Sequence, residues 1–283
     1  MSTSIPSTPV RATDTAATSP TDDALTAPVP LRTRGRLPIR YVALEAKRQL
    51  RNVRSLVFTI AVPVVMLLAF GSAYGSSGQV DPATKLPWLV VTTLQMASYG
   101  AMMAALGQAF TIVTERSIGW NRQLRITPLS GVGFLVSKVI AAMAIAALGI
   151  VVVTLVSVLA LHADLAPGRW LVAGVGVWAG VVPFALIAIL IGQFARPSFA
   201  QPLFMVVFMG LAILGGLWVP LSIMPSWMST LAHGVPSYWL DRMGQMGAGA
   251  DGSMLEPALV LAAWAFGLAA VVVWRYRRDA ARQ

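Results

Sequence analysis

Few side chains in this sequence could carry covalent or metal chemistry. It contains no cysteine and only two histidines, His162 and His233, which lie far apart and lack metal-ligand spacing. Without cysteine there can be no disulfide, thiolate nucleophile or zinc–thiolate site. No G-x-x-x-x-G-K-[ST] loop is present to hold the phosphates of ATP. We therefore expect no catalytic residue, no metal and no cofactor in this chain, and energy for any work would come from another protein.

The most promising polar residues lie in one loop, residues 114–136. Thr114 suits a helix N-cap, Glu115 suits the positive end of a helix dipole, and Pro128 would end the helix. Glu115 has Ile118 and Gly119 at +3 and +4, so any ion-pair partner must lie on another element. The loop also carries Arg116, Arg122 and Arg125. This pattern favours a short, basic, structured helix and not a mere spacer; the alternative is a solvated loop whose arginines contact lipid headgroups.

A second group of polar and adaptable side chains lies within apolar stretches. Thr92, Gln95 and Tyr99 share one helical face. Further along the chain, two pairs at i,i+4 spacing are formed by Phe204 with Phe208 and by Met205 with Met209. These residues could line a path for a hydrophobic or amphipathic substrate. The alternative is ordinary packing and hydrogen bonding between helices.

The composition of the chain indicates the kind of secondary structure on which these residues lie. The 283 residues are 57% hydrophobic and 11% charged, with a mean hydropathy of +0.72, whereas soluble domains carry about 25% charged residues. Uncharged stretches are long enough for helices of about 20 residues that cross a bilayer. The predicted fold is therefore an all-α membrane protein with six transmembrane helices, at 54–74, 87–113, 137–161, 170–194, 202–220 and 255–274. Pro63 and Pro183 are expected to kink the first and fourth of these spans.

Three segments flank the spans. Residues 1–37 are rich in Ser, Thr and Pro and predict a disordered cytoplasmic tail. In residues 38–52, apolar side chains recur at helical spacing and basic side chains occupy another face of the helix. This pattern predicts an amphipathic elbow helix at the membrane interface. Its basic side chains include Arg40, Lys47 and Arg51. Residues 221–254, interrupted by prolines and rich in Trp and Tyr, predict short re-entrant helices in the outer leaflet before the last span.

The positive charge of the chain follows the membrane topology. With both termini in the cytoplasm, 18 of the 21 Lys and Arg residues fall in inner segments, and only Lys85, Arg169 and Arg242 fall outside. This distribution satisfies the positive-inside rule for a multi-pass protein of the cytoplasmic membrane. The net charge of +10 is therefore a topology signal, and we expect a lipid bilayer and no nucleic acid as the partner of these charges.

The inner loop also resembles that of a known family. Glu115-Arg116-x-x-Gly119, followed by Leu124-Arg125-x-Thr127-Pro128-Leu129-Ser130, is similar to the loop motif of ABC type-2 permeases, including bacterial drug-export permeases of the daunorubicin-exporter kind. The segment Trp218-Val219-Pro220-Leu221-Ser222-x-x-Pro225-x-Trp227 resembles the outer helices of that family. The resemblance covers residues 38–283, with the elbow helix and the six spans in the same order.

The resemblance implies a function. The loop would be a coupling helix that docks on a separate ATP-binding subunit, which would hold the ATP and magnesium. The residues carried over to that contact are Glu115, Arg116, Gly119, Arg122, Leu124 and Arg125. Two permease subunits, identical or related, would pair to move a drug or lipid-like substrate outward. The alternatives are an ATP-independent carrier and a non-transporting immunity or scaffold protein, and the lack of a charged residue in the centre of any span disfavours the carrier.

Overall fold

The computed structural model describes residues 39–75, 79–119, 131–218 and 224–281. The predicted tail (1–37) lies outside the described residues, as do Arg122, Leu124 and Arg125 of the loop motif and residues 219–223 of the outer segment. The side chain of Arg40 is also outside the described part, although its backbone is helical.

The described residues confirm the all-α prediction, since they contain eleven helices and no strand beyond one isolated bridge between Val80 and Pro87. The bounds of the helices, in chain order, are α1 Ile39–Leu50, α2 Val53–Gly75, α3 Trp88–Leu106, α4 Gln108–Ser117, α5 Gly131–Ala160, α6 Pro167–Ala179, α7 Val182–Phe194, α8 Pro197–Leu214, α9 Ser226–Ala232, α10 Pro236–Ala248 and α11 Leu255–Ala281.

Five membrane spans are long and apolar enough by themselves: α3 with α4, α5, α6 with α7, α8, and α11. The remaining predicted span, 54–74, corresponds to α2, a continuous helix of 23 residues with a shorter apolar stretch at Thr59–Ala73. A helix of this length exceeds the roughly 20 residues that a bilayer requires. The elbow helix appears as α1, and two short helices, α9 and α10, precede the last span as expected.

Two spans are broken where the sequence predicted continuous helices. The second span divides at Gly107 into α3 and α4, and the fourth divides at Gly180 and Val181 into α6 and α7. Pro183 therefore lies in the first turn of α7, so the fourth span is interrupted beside Pro183 as expected, but by a break between two helices and not by a kink within one. A first turn accommodates proline because its N–H would have no intrahelical acceptor.

The start of the predicted loop also needs correction. The predicted N-cap at Thr114 is wrong, because α4 continues to Ser117 and the Thr114 hydroxyl donates to the Phe110 carbonyl at 2.8 Å. Glu115 and Arg116 therefore occupy the last turn of a membrane span. The helix ends just before Gly119, whose φ of 73° places it in the left-handed region that terminates helices. On the other side of the loop, α5 begins at Gly131, six residues earlier than the predicted 137.

The helices pack around α3, which is buried along nearly its whole length. By contrast, α8 and α11 bury only about a fifth of their apolar windows, as expected for helices that face lipid. The elbow helix α1 packs on α5, and α10 packs on α6, α3, α11 and α8. We call the end of the bundle that holds α1 the elbow face and the end that holds α10 the distal face.

Close helix contact on the distal face depends on glycine. A Cβ at Gly176 would lie 3.1 Å from the Met243 side chain, and one at Gly180 would lie 2.8 Å from Leu240. A Cβ at Gly247 would lie 2.7 Å from the Cα of Ala173. The glycines of the Gly176-x-x-x-Gly180 motif therefore allow α6 to pack closely on α10 within the subunit.

Candidate functional site

Four charged side chains meet on the elbow face, and we call Glu45, Arg48, Glu115 and Lys138 the elbow cluster. The Lys138 ammonium lies 2.6 Å from Glu45 Oε1 and 2.7 Å from Glu115 Oε1. One guanidinium nitrogen of Arg48 lies 2.7 Å from the same Glu115 oxygen. The cluster therefore joins α1, the last turn of α4 and the second turn of α5.

The elbow cluster is buried but electrically balanced. The Lys138 side chain is fully buried, and the side chains of Glu45 and Glu115 are 4% and 6% exposed. Arg48 is half exposed and supplies the second cation. A buried charge is costly unless it is paired and hydrogen-bonded. Here two carboxylates face two cations, so each charge has a counter-ion within hydrogen-bond distance.

Gln49 extends the contact between α1 and α4. Its side-chain amide donates to Gln108 Oε1 at 3.2 Å and lies 3.4 Å from Thr111 Oγ1. Both partners lie on α4, one to two turns before Glu115. The elbow helix is thus attached to the second span along two turns, by neutral hydrogen bonds as well as by charges.

Arg116 connects the same turn of α4 to the fourth span. Its guanidinium donates to the carbonyls of Gly192 and Gln193, each at 2.6 Å. These carbonyls belong to the last turn of α7, whose dipole favours a cation. The two helices touch closely here, since a Cβ at Gly192 would lie 2.6 Å from the Ile112 side chain. The adjacent residues Glu115 and Arg116 therefore bind three other helices between them.

The predicted partner-binding residues are only partly described. Glu115 faces inward to the elbow cluster, Arg116 binds α7, and Gly119 forms the left-handed turn where the loop begins. Lys47 and Arg51 of the elbow helix are exposed. A contact of any of these residues with an ATP-binding subunit stays a prediction.

The predicted substrate-path residues are largely packed against one another. Tyr99 contacts Phe208, with ring centroids 5.2 Å apart, and Phe208 stacks on Phe204 at 5.5 Å. Met205 is half exposed on the outside of the bundle. Thr92 donates to the Trp88 carbonyl and Met209 packs against the main core. In this conformation these side chains form a helix interface, and their role as a path stays a prediction.

Gln95, another predicted path residue, lines a polar cavity on the distal face. Its amide donates to the Gly216 carbonyl at 3.2 Å. The cavity has a volume of about 160 Å³. Its polar and aromatic lining residues come from the 79–87 turn, α3 and α10: Asp81, Thr84, Trp88, Gln95, Tyr238, Asp241, Arg242 and Gln245. We call it the distal cavity.

Asp241 is the unusual residue of the distal cavity. It is 5% exposed, and its Oδ2 accepts a hydrogen bond from Gln245 at 2.6 Å. Its Oδ1 is buried with no hydrogen-bond partner among the described residues. Burial raises the pKa of Asp241 to about 8, although the nearby Arg242 acts in the opposite direction.

Sequence reasoning did not identify Glu45, Lys138 or Asp241 as site residues. A signal existed for Glu45, the only acidic residue in the basic helix α1, and for Lys138, which lies inside an otherwise apolar helix. Asp241 gave no such signal, because it lies among polar residues in a segment outside the predicted spans. Its burial depends on how α10 packs against distant helices.

The comparisons with known proteins agree with this architecture. Residues 41–243 match the model of a protein family described as "ABC-2 type transporter". A curated relative from Bacillus subtilis (strain 168), "Putative transport permease YvfS", is 29% identical over 194 residues, covering 69% of this chain and 78% of the relative. The matched region includes α1, the elbow cluster and Asp241. This multi-pass membrane chain therefore belongs to the ABC-2 type transporter family.

Proposed function

We propose that this chain is the transmembrane permease subunit of an ATP-driven exporter. It works with a separate ATP-binding subunit, which holds ATP and magnesium, and with a second permease subunit. It moves a hydrophobic or amphipathic substrate outward across the cytoplasmic membrane. Membership in the family supports a transport role, and permeases of this family generally work with an ATP-binding subunit.

The observation that carries this proposal is that the chain is bonded to three other helices at the point where the inner loop begins. Glu115 and Arg116 immediately precede the loop, and they bind α1, α5 and α7. A push on residues 118–130 by a docked subunit would reach those three helices through short, charge-assisted bonds, which are the stronger class of hydrogen bond. A loop that served only as a spacer would not need such anchors.

The distribution of charge supports the orientation. Lys85, Arg169 and Arg242, the three cations expected outside, are all on or next to the distal face, where Lys85 pairs with Asp251. The elbow face holds Arg48, Arg116 and Lys138. With the elbow face in the cytoplasm, both termini are cytoplasmic and the positive-inside rule is satisfied.

The test is reconstitution with a candidate ATP-binding subunit. We expect ATP-dependent accumulation of a lipophilic dye in inside-out vesicles. Arg122→Glu should abolish most of it while membrane insertion is retained, because it reverses a charge in the proposed docking loop. Arg11→Glu, the same reversal in the N-terminal segment, is the matched control and should transport normally.

Two results would contradict the proposal. Full export by Arg122→Glu would exclude the loop as the docking site. Uphill transport by the permease alone, without any ATP-binding subunit, would instead favour an ATP-independent carrier.

A further inference from the structure

The distal cavity contains an acid without a counter-ion. Asp241 Oδ2 is occupied by Gln245, whereas Oδ1 is buried and has no hydrogen-bond partner among the described residues. A buried polar atom without a hydrogen-bond partner is unfavourable, and more so when it is charged. Such a cost calls for an explanation, and the adjacent cavity offers a place for a missing partner.

The neighbouring ionisable groups do not supply that partner. Arg242 donates to Gln245 Oε1 at 3.3 Å and forms no ion pair with Asp241 in the described part of the chain. The packed helices α3 and α8 contain no Asp, Glu, Lys or Arg, and Tyr99 of α3 lies against Phe208. Within the described residues, Arg169 of α6 and Glu256 of α11 form no hydrogen bond or ion pair with Asp241, and Tyr238 lies beside it on α10.

The second carboxylate of the cavity is already engaged. Asp81 Oδ2 accepts from the backbone N–H of Thr84 at 2.9 Å and from its hydroxyl at 2.6 Å. The lining therefore holds two carboxylates against one guanidinium, that of Arg242. When Asp241 is ionised, the cavity has an excess of negative charge located on that residue.

The walls and the volume define what could fit. The rings of Trp88 and Tyr238 line the cavity, and aromatic faces attract quaternary and protonated amines. A cavity of about 150 Å³ accommodates benzene, so the distal cavity, at about 160 Å³, has room for a compact organic head of similar size.

We propose that the distal cavity binds the ammonium head of an organic cation, with the Asp241 carboxylate as its counter-ion. This deepens the proposed function, on which it rests only for the claim that the bound cation is the exported substrate. Binding itself requires no ATP-binding subunit. It would restrict the substrate class to amphipathic molecules with a positively charged nitrogen.

The affinity for such a ligand should also depend on the ionisation state of Asp241. With a pKa of about 8, the carboxyl is mostly protonated at neutral pH and must lose its proton to pair with a cation. The affinity for a permanent cation should therefore rise with pH and level off above pH 8. Between pH 7 and pH 9 the expected gain is about tenfold.

The experiment measures binding of choline to the purified permease in lipid nanodiscs, without nucleotide or partner. Choline keeps its charge at every pH, and 3,3-dimethyl-1-butanol is its neutral isostere. We expect choline to bind saturably and at least about tenfold more tightly than the isostere at pH 9, since a desolvated ion pair and cation–π contacts distinguish them.

Asp241→Asn should lower choline affinity to that of the isostere and remove the pH dependence. Asp251→Asn is the matched control, because it removes an exposed carboxylate on the same face that pairs with Lys85 and should leave choline binding unchanged. Tyr238→Leu is a second variant that keeps the charge and should weaken choline several-fold.

The proposal is overturned if choline fails to bind saturably at pH 9, if the isostere binds equally well, or if Asp241→Asn binds choline like the wild type. Should Asp241→Asn not fold, undiminished binding by Tyr238→Leu together with no pH dependence in the wild type would also overturn it. A failure of ATP-driven export with intact choline binding would count against the proposed function alone.

Discussion

The elbow face and the distal face of the bundle both bury ionisable side chains, but they treat charge differently. On the elbow face, Lys138 is enclosed by Glu45 and Glu115, and Arg48 adds a second cation. On the distal face, Asp241 is buried with an amide as its described partner and has a raised pKa. One face holds a neutral set of ions, and the other holds an acid without a counter-ion beside a cavity.

This difference indicates different roles. A balanced cluster that joins three helices is suited to transmitting force, because each of its charges has a counter-ion within hydrogen-bond distance. A buried acid without a counter-ion is unfavourable in its ionised form, so it is stabilised either by protonation or by a bound cation. The elbow cluster is thus suited to mechanical attachment, and the distal cavity is suited to binding.

The largest expected effect comes from breaking the balanced cluster. Lys138→Met leaves two buried carboxylates without their shared cation and should lower the free energy of unfolding by about 3–5 kcal/mol. Thermal unfolding of the detergent-solubilised protein would show this as a lower Tm. Lys47→Met removes an exposed cation from α1 and should leave the Tm nearly unchanged. Recovery of the Tm in Glu45→Gln/Glu115→Gln/Lys138→Met would identify charge imbalance as the cause.

The second effect should depend on pH and appear on the distal face. The pKa of Asp241 rises from 3.8 unfolded to about 8 folded, so the folded state holds the proton more tightly. Stability is then retained at low pH and lost as pH rises toward 8, by about 1 kcal/mol per pH unit. Asp241→Asn should lack this part of the loss. The Tm of the variant relative to that of the wild type should therefore rise between pH 5.5 and pH 8. Parallel Tm profiles would contradict this assignment.

The smallest effect should come from the exposed ion pair on the distal face. Lys85 and Asp251 form a salt bridge at the surface, where both side chains are largely exposed. Solvent and salt screen such pairs, which contribute little to stability. Lys85→Met should therefore leave the Tm unchanged within error. A clear loss of Tm would mean that this pair also holds the 79–87 turn in place.

Sequence patterns predicted the helices well where the pattern was long. The apolar stretches identified the spans, and the alternation of apolar and basic residues identified α1. The break at Gly107 was not predicted, because a glycine does not force a break by itself. The disruption of the fourth span was predicted from Pro183, although its form as a full break at Gly180 and Val181 was not. The prediction of Thr114 as a helix N-cap was also wrong, because a polar stretch that follows an apolar one is typical of the start of a new helix.

The amino-acid sequence by itself determined the class of protein and the order of its long apolar helices along the chain. These properties depend on local composition, because each span must satisfy its own backbone within the bilayer. The tertiary structure alone decided that Glu45, Glu115 and Lys138, distant in sequence, share one buried site. It also decided that Asp241 lies beside a cavity, since the burial and pairing of a charge depend on which other helices surround it.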